Sequence, residues 1–190
     1  KYISFAGHLE VVIHRSVWTT VMLIVTTIIF SKWKIFFSTI LNKKKLFTLL
    51  ISGILIFTNW AIWIYAVTSD QIINASFGYF IMPIISVFLG YFFLKEPLTF
   101  KSKISILLVI ISVLYLLIVD IKSIPFVGLV VAFTWGFYNL VKKKANVDTD
   151  IGLLVESLFI FPFVIFGFYL ITQNNLNDFD ISNPTLMFIL

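Results

Sequence analysis

The stretch Ile72–Leu94, IINASFGYFIMPIISVFLGYFFL, carries no charged residue, and its polar and small positions, Ser76, Tyr79, Pro83, Ser86 and Gly90, recur at spacings of three and four. On an α-helix that spacing gathers them on one face. Roughly 20 residues at about 1.5 Å each cover a hydrocarbon core of about 30 Å, so the stretch predicts a membrane-spanning helix whose polar stripe faces protein or a cavity. Lys95, Glu96 and Pro97 follow at once, ending the helix and setting charge at one membrane surface.

The rest of the chain follows the same pattern. Hydrophobic residues make up 60% of its 190 positions and charged residues 12%, with a mean hydropathy of +1.05. A soluble domain of this size cannot bury so much apolar surface. The 22 Phe and 5 Trp suit lipid-facing and interfacial positions. Cysteine is absent, which removes disulfides, thiol catalysis and cysteine metal sites from consideration. The net charge of +5 does not point to nucleic acid, because the lysines lie between apolar runs and not on a folded basic face.

Reading outward from 72–94 gives six spans, approximately Val11–Phe30, Leu46–Val67, Ile72–Leu94, Ile104–Val119, Ile124–Val141 and Ile151–Ile171, with Thr185–Leu190 entering a seventh. Short connectors make successive spans antiparallel, and the whole reads as one all-α, polytopic membrane helix bundle over residues 1–190. Lys32, Lys34 and Lys43–Lys45, then Lys95, Lys101 and Lys103, then Lys142–Lys144 fall in alternate connectors. The positive-inside rule predicts that side to be cytoplasmic. Asp70, Gln71, Asp120, Lys122 and Gln173–Pro184 are then external, together with Lys1–Leu9. A chain that opens at Lys1 outside the membrane and closes at Leu190 within an apolar run is expected to be a fragment, with a helix missing before it and others after it.

Polar residues inside the spans carry the functional expectations, since an ionisable group in lipid is costly unless it is paired or faces water. Glu156 lies roughly 9 Å beyond Asp150 at helical rise, too deep for its short side chain to reach the surface. It reads either as a carboxyl satisfied by a neighbouring helix or as a group handling substrate or protons. Arg15 sits at a similar depth from the external face, where its long stem can snorkel to the headgroups or its charge can serve a substrate. Asn59 beside Trp60 and Trp63 reads as interhelical glue or as the polar point of a flat-walled pocket. Pro83 is a mid-span kink and candidate hinge. Gly128, Ala132 and Gly136, at intervals of four, predict a close helix–helix contact. With His8 and His14 the only histidines, no metal cluster can be argued.

These residues also carry a resemblance. The runs Glu10–Trp18 (EVVIHRSVW), Asn59-Trp60, Ala75–Pro83 (ASFGYFIMP), Gly136-Phe137-Tyr138 before Lys142-Lys143, and Gly152–Ser157 (GLLVES) together resemble the EamA family of the drug/metabolite transporter superfamily, in order and over essentially the whole chain. The resemblance implies ten helices built as two inverted five-helix repeats, of which this chain supplies helices two to seven and the start of the eighth. Laying Glu10–Trp18 over Ile151–Phe159 sets Arg15 against Glu156 and Ser16 against Ser157, near the repeat interface where transporters of this architecture bind substrate.

The expected function is that of a secondary transporter of the bacterial inner (plasma) membrane, exporting a small metabolite or drug-like compound by alternating access. Glu156, Arg15, Asn59, Trp63 and Tyr79 are the candidate substrate-binding or coupling residues and Pro83 the candidate hinge. The implied partners are a small-molecule substrate, the lipid bilayer and protons, with no nucleic acid, metal or cofactor. The alternative is a non-transporting membrane protein: an intramembrane enzyme, a channel or a structural subunit. No Gly-x-Ser-x-Gly, His-Glu-x-x-His or paired aspartates in the spans favour an enzyme.

Overall fold

The computed structural model describes residues 8–121 and 125–173. These form α1 (His8–Ile29), α2 (Trp33–Leu41), α3 (Lys43–Thr68), α4 (Ile72–Leu94), α5 (Phe100–Leu116, continued by a π-helical turn over Leu117–Ile121), α6 (Phe126–Ala145) and α7 (Thr149–Gln173). The expectations for Lys122, for Gln173–Pro184 beyond its first residue, for Thr185–Leu190 and for residues 1–7 fall outside the described residues. Ser31, Asp70, Lys95 and Asn146 take left-handed backbone conformations at helix ends, which reverses or redirects the chain within a few residues.

Among the described residues, five helices are long and apolar enough to cross a membrane: Glu10–Ile29, Lys43–Thr68, Ile72–Leu94, Phe100–Val119 and Thr149–Gln173. The sixth expected span, Ile124–Val141, begins outside the described residues and from Phe126 onward lies in α6. α6 is wedged between α3 and α4, and Tyr138 is buried there. The connector expected over residues 31–45 is corrected. It holds α2, a nine-residue helix with Phe36 and Thr39 buried and Trp33, Ile35, Phe37 and Leu41 exposed. It is too short to span, and its flanking lysines disguised it as a loop.

α7 packs on α1 and α3, α3 on α6, α6 on α4, and α4 on α5. Contacts fix the directions. Asn59 meets Val131 and Thr134 while Ser52 and Tyr138 meet at Glu156, so α3 and α6 are antiparallel. Gly78 meets Gly128, and Ile85 meets Gly136, so α4 and α6 are parallel. The small-residue stripe of α6 makes that packing possible. A Cβ on Gly128 would lie 2.2 Å from the Asn74 carbonyl oxygen, and one on Gly78 2.3 Å from the Gly128 carbonyl oxygen. Only paired glycines allow the backbones so close. Ala132, on the same stripe, is fully buried.

Ion pairs gather the lysine-bearing connectors at one end. Lys32 bonds Asp148 and Asp150 across the start of α7, and Lys143 pairs with Glu96. Both aspartates hydrogen-bond the Lys32 ammonium and hold its pKa above the ordinary lysine value.

Candidate functional site

Apart from Glu10, buried near the beginning of α1, charge enters the bundle at two levels. Near the lysine-rich end, Glu156 of α7 is completely buried. Ser52 of α3 donates to its Oε1 at 2.6 Å, Lys142 of α6 donates to the same oxygen at 2.7 Å, and the Tyr138 hydroxyl donates to Oε2 at 3.3 Å. Three helices thus meet on one carboxylate. The local sequence makes room for it. A Cβ on Gly152, one turn before Glu156, would lie 2.6 Å from the Lys142 Nζ, and one on Gly53 would press on the Glu156 backbone at 3.4 Å. Leu49, Ile151, Leu154 and Val155 form an apolar cluster on the same turns of α3 and α7, joined by Phe36 of α2. Removing one partner of a buried, hydrogen-bonded pair of this kind costs about 3–5 kcal/mol, because the other charge is left stranded.

Near the opposite end, Arg15 of α1 is only partly buried. Its guanidinium lies over the Trp60 ring of α3, 4.8 Å from the centroid. Tyr79 of α4 is close enough to interact with it electrostatically and meets Trp63 edge to face at 5.0 Å. Among the described residues Arg15 has no ion pair and no hydrogen bond, whereas Lys32, Lys142 and Lys143 each hold a carboxylate. Stacking on an indole is worth about 0.5–2 kcal/mol, against about 2.5–3.5 kcal/mol for inserting an arginine at mid-membrane. The ring steadies the cation without fully replacing an anion.

The structure therefore brings Arg15, Trp63 and Tyr79 together, adds Trp60 to them, and sets Glu156 apart. Asn59, between the two levels, spends its amide on α6, donating to the Val131 carbonyl at 3.0 Å and to Thr134 Oγ1 at 2.9 Å. Pro83 sits inside α4 and offers no N–H to the carbonyl of Tyr79, four residues earlier. It also borders a cavity of about 320 Å³ between α4 and α5. Arg15 lies seven residues beyond His8, the first described residue of α1, and Glu156 lies seven residues into α7, which starts at Thr149. Those helices are antiparallel, since Ile13 packs on Gly167 while Lys32, beyond the end of α1, reaches Asp150. Sequence reasoning missed Lys142 as the partner of Glu156, because it reads as one of three connector lysines. The available signal was spacing: Lys142 lies four residues beyond Tyr138, on the same face of α6.

No solved structure matches the chain. Three bacterial proteins are similar to it: an uncharacterized transporter of Vibrio cholerae, 34% identical over 85% of this chain and 53% of its own length; the RarD protein of Escherichia coli, 33% identical over 85% of this chain and 54% of its own; and the uncharacterized transporter YojE of Bacillus subtilis, 34% identical over 83% and 53%. The chain thus spans about half the length of these relatives. Residues 1–118 match the EamA-like transporter family. With its apolar helices and these relatives, the chain is that of a multi-pass membrane protein and belongs to the EamA-like transporter family.

Proposed function

We propose that the full-length protein is a secondary transporter of the drug/metabolite superfamily, exporting a small metabolite or drug-like compound across the bacterial inner membrane by alternating access. In this reading the lysine-rich end faces the cytoplasm, and the chain contributes most of one inverted repeat and the beginning of the next. Arg15, Trp63 and Tyr79 serve the substrate, Glu156 serves coupling, and Asn59 holds α3 to α6. The observation that carries the reading is the Glu156–Lys142 pair, buried in the bundle and shared by α3, α6 and α7. Ionisable groups placed so deep between membrane helices mark substrate and proton pathways, and a pair joining three helices is a natural latch. Protonation of Glu156 weakens its hold on Lys142 and frees α6 from α7 at the cytoplasmic end. Pro83 and Pro162, each inside a long helix, provide bending points for the same motion.

Reconstituted full-length protein tests this reading with Glu156→Gln. The amide keeps the size of the carboxyl but cannot titrate. The variant is expected to insert, to lose flux driven by a pH gradient, and to keep substrate exchange. Gradient-driven flux at the wild-type rate would remove the coupling role and leave Glu156 as packing.

A further inference from the structure

We propose that the side-chain cluster of Arg15, Trp60, Trp63 and Tyr79, where α1, α3 and α4 come together, binds a small organic anion, a carboxylate joined to a flat apolar body, with Arg15 as the partner of the carboxylate. This deepens the transporter reading and rests on it, naming the substrate class. α1 packs on α7 and α3, while α4 packs on α6, α5 and α3. Between α1 and α4, over α3, Arg15, Trp60, Trp63 and Tyr79 converge. Trp60 and Tyr79 lie eight and seven residues from the nearer end of their helices, so both sit about 10–12 Å deep at helical rise, and Arg15 is held at their level by its contact with Trp60.

Each group at that level has a use in such a site. Trp60 holds the guanidinium from one side, which orients the planar fork without consuming its N–H donors. Those donors have no acceptor among the described residues, and a fork of parallel N–H groups matches a carboxylate. Trp63 and Tyr79, packed edge to face, give an aromatic corner against which an apolar ring can pack. Tyr79 is 40% exposed, so its ring is not sealed away from a ligand, and its backbone carbonyl lacks the usual helical donor because residue 83 is proline. A neutral substrate would leave the guanidinium unmatched at this depth. A lipid headgroup phosphate is the other source of a matching anion.

The full-length protein in phosphatidylcholine nanodiscs, titrated calorimetrically with benzoate and with benzamide at pH 7.5, tests the proposal. Benzoate is expected to bind saturably and benzamide at least tenfold more weakly. Arg15→Gln should lose tenfold or more of the benzoate affinity, and Arg15→Lys should recover part of it, with both variants melting near wild type. Equal affinity for the two probes, no benzoate binding, or full affinity in Arg15→Gln overturns the proposal. So does benzoate binding that appears only in a phosphate-free detergent, which assigns the guanidinium to lipid. Benzoate binding without substrate flux leaves the anion site standing and removes the transporter reading; flux without benzoate binding does the reverse.

Discussion

The two charged levels of this bundle differ in how completely they are satisfied. At the lysine-rich end Glu156 is fully buried and accepts from Ser52, Lys142 and Tyr138. At the other end Arg15 is partly buried, rests on a ring, and has no acid among the described residues. A charge that is desolvated and fully bonded knits helices together. A charge that is desolvated and left with spare donors is poised for something that is not always there. A charged residue inside the bundle thus reads as a latch in one place and as a receptor in the other.

The sharpest way to break the comparison is Glu156→Leu, which strands the Lys142 ammonium in an apolar cluster. The expected loss is about 3–5 kcal/mol, seen as failure to accumulate in the membrane. The double variant Glu156→Gln/Lys142→Gln should recover most of it, because no charge is then buried alone. Arg15→Gln should instead change stability by no more than about 2 kcal/mol, the upper worth of its ring contact. A loss from Arg15→Gln as large as that from Glu156→Leu would erase the distinction.

Next in size is Gly128→Val. Its side chain meets the Asn74 carbonyl, and forcing α4 from α6 is expected to cost about 1–3 kcal/mol, read as a lower melting temperature of the purified protein. Asn59→Leu gives up two hydrogen bonds to α6 and should cost about 1 kcal/mol, leaving substrate affinity unchanged if its amide serves only packing. Lys32→Gln gives the smallest effect. Its pair with Asp148 and Asp150 lies at the rim, so the change in melting temperature should shrink further on adding salt. The Lys32 pKa is raised in the folded protein, so the pair contributes through neutral pH and fades only above the ordinary lysine range.

Much of this was legible in the sequence. The span Ile72–Leu94 coincides with α4, because 23 residues without a charge leave a membrane helix little choice. Gly128, Ala132 and Gly136 face α4 as their spacing implies, since a stripe of small residues has one efficient use in lipid. Of Ser52, Ile56, Asn59, Trp63 and Ala66, spaced at four and three along α3, all but Trp63 are buried. Two features were hidden. α2 is a nonamer of mostly apolar residues with Lys34 inside it and Lys32 and Lys43 beside it, and such a segment reads as a loop until its neighbours supply the surface that buries Phe36. Lys142 was assigned to water because lysines at helix ends usually snorkel outward. Here Gly152 opens a path inward, and a glycine on another helix is not a signal that Lys142 carries in its own neighbourhood.

The contrast between a closed latch and an open receptor is tested most directly by thiol accessibility in the full-length protein. The chain itself has no cysteine, so in a background otherwise free of it, Ser52→Cys and Tyr79→Cys each report on one level. With neither substrate nor a pH gradient present, a membrane-impermeant maleimide should label Tyr79→Cys from the side opposite the lysine-rich end, and benzoate should slow that reaction. Ser52→Cys should resist the reagent from both sides. Equal labelling of the two cysteines, or labelling of Ser52→Cys alone, would contradict the account.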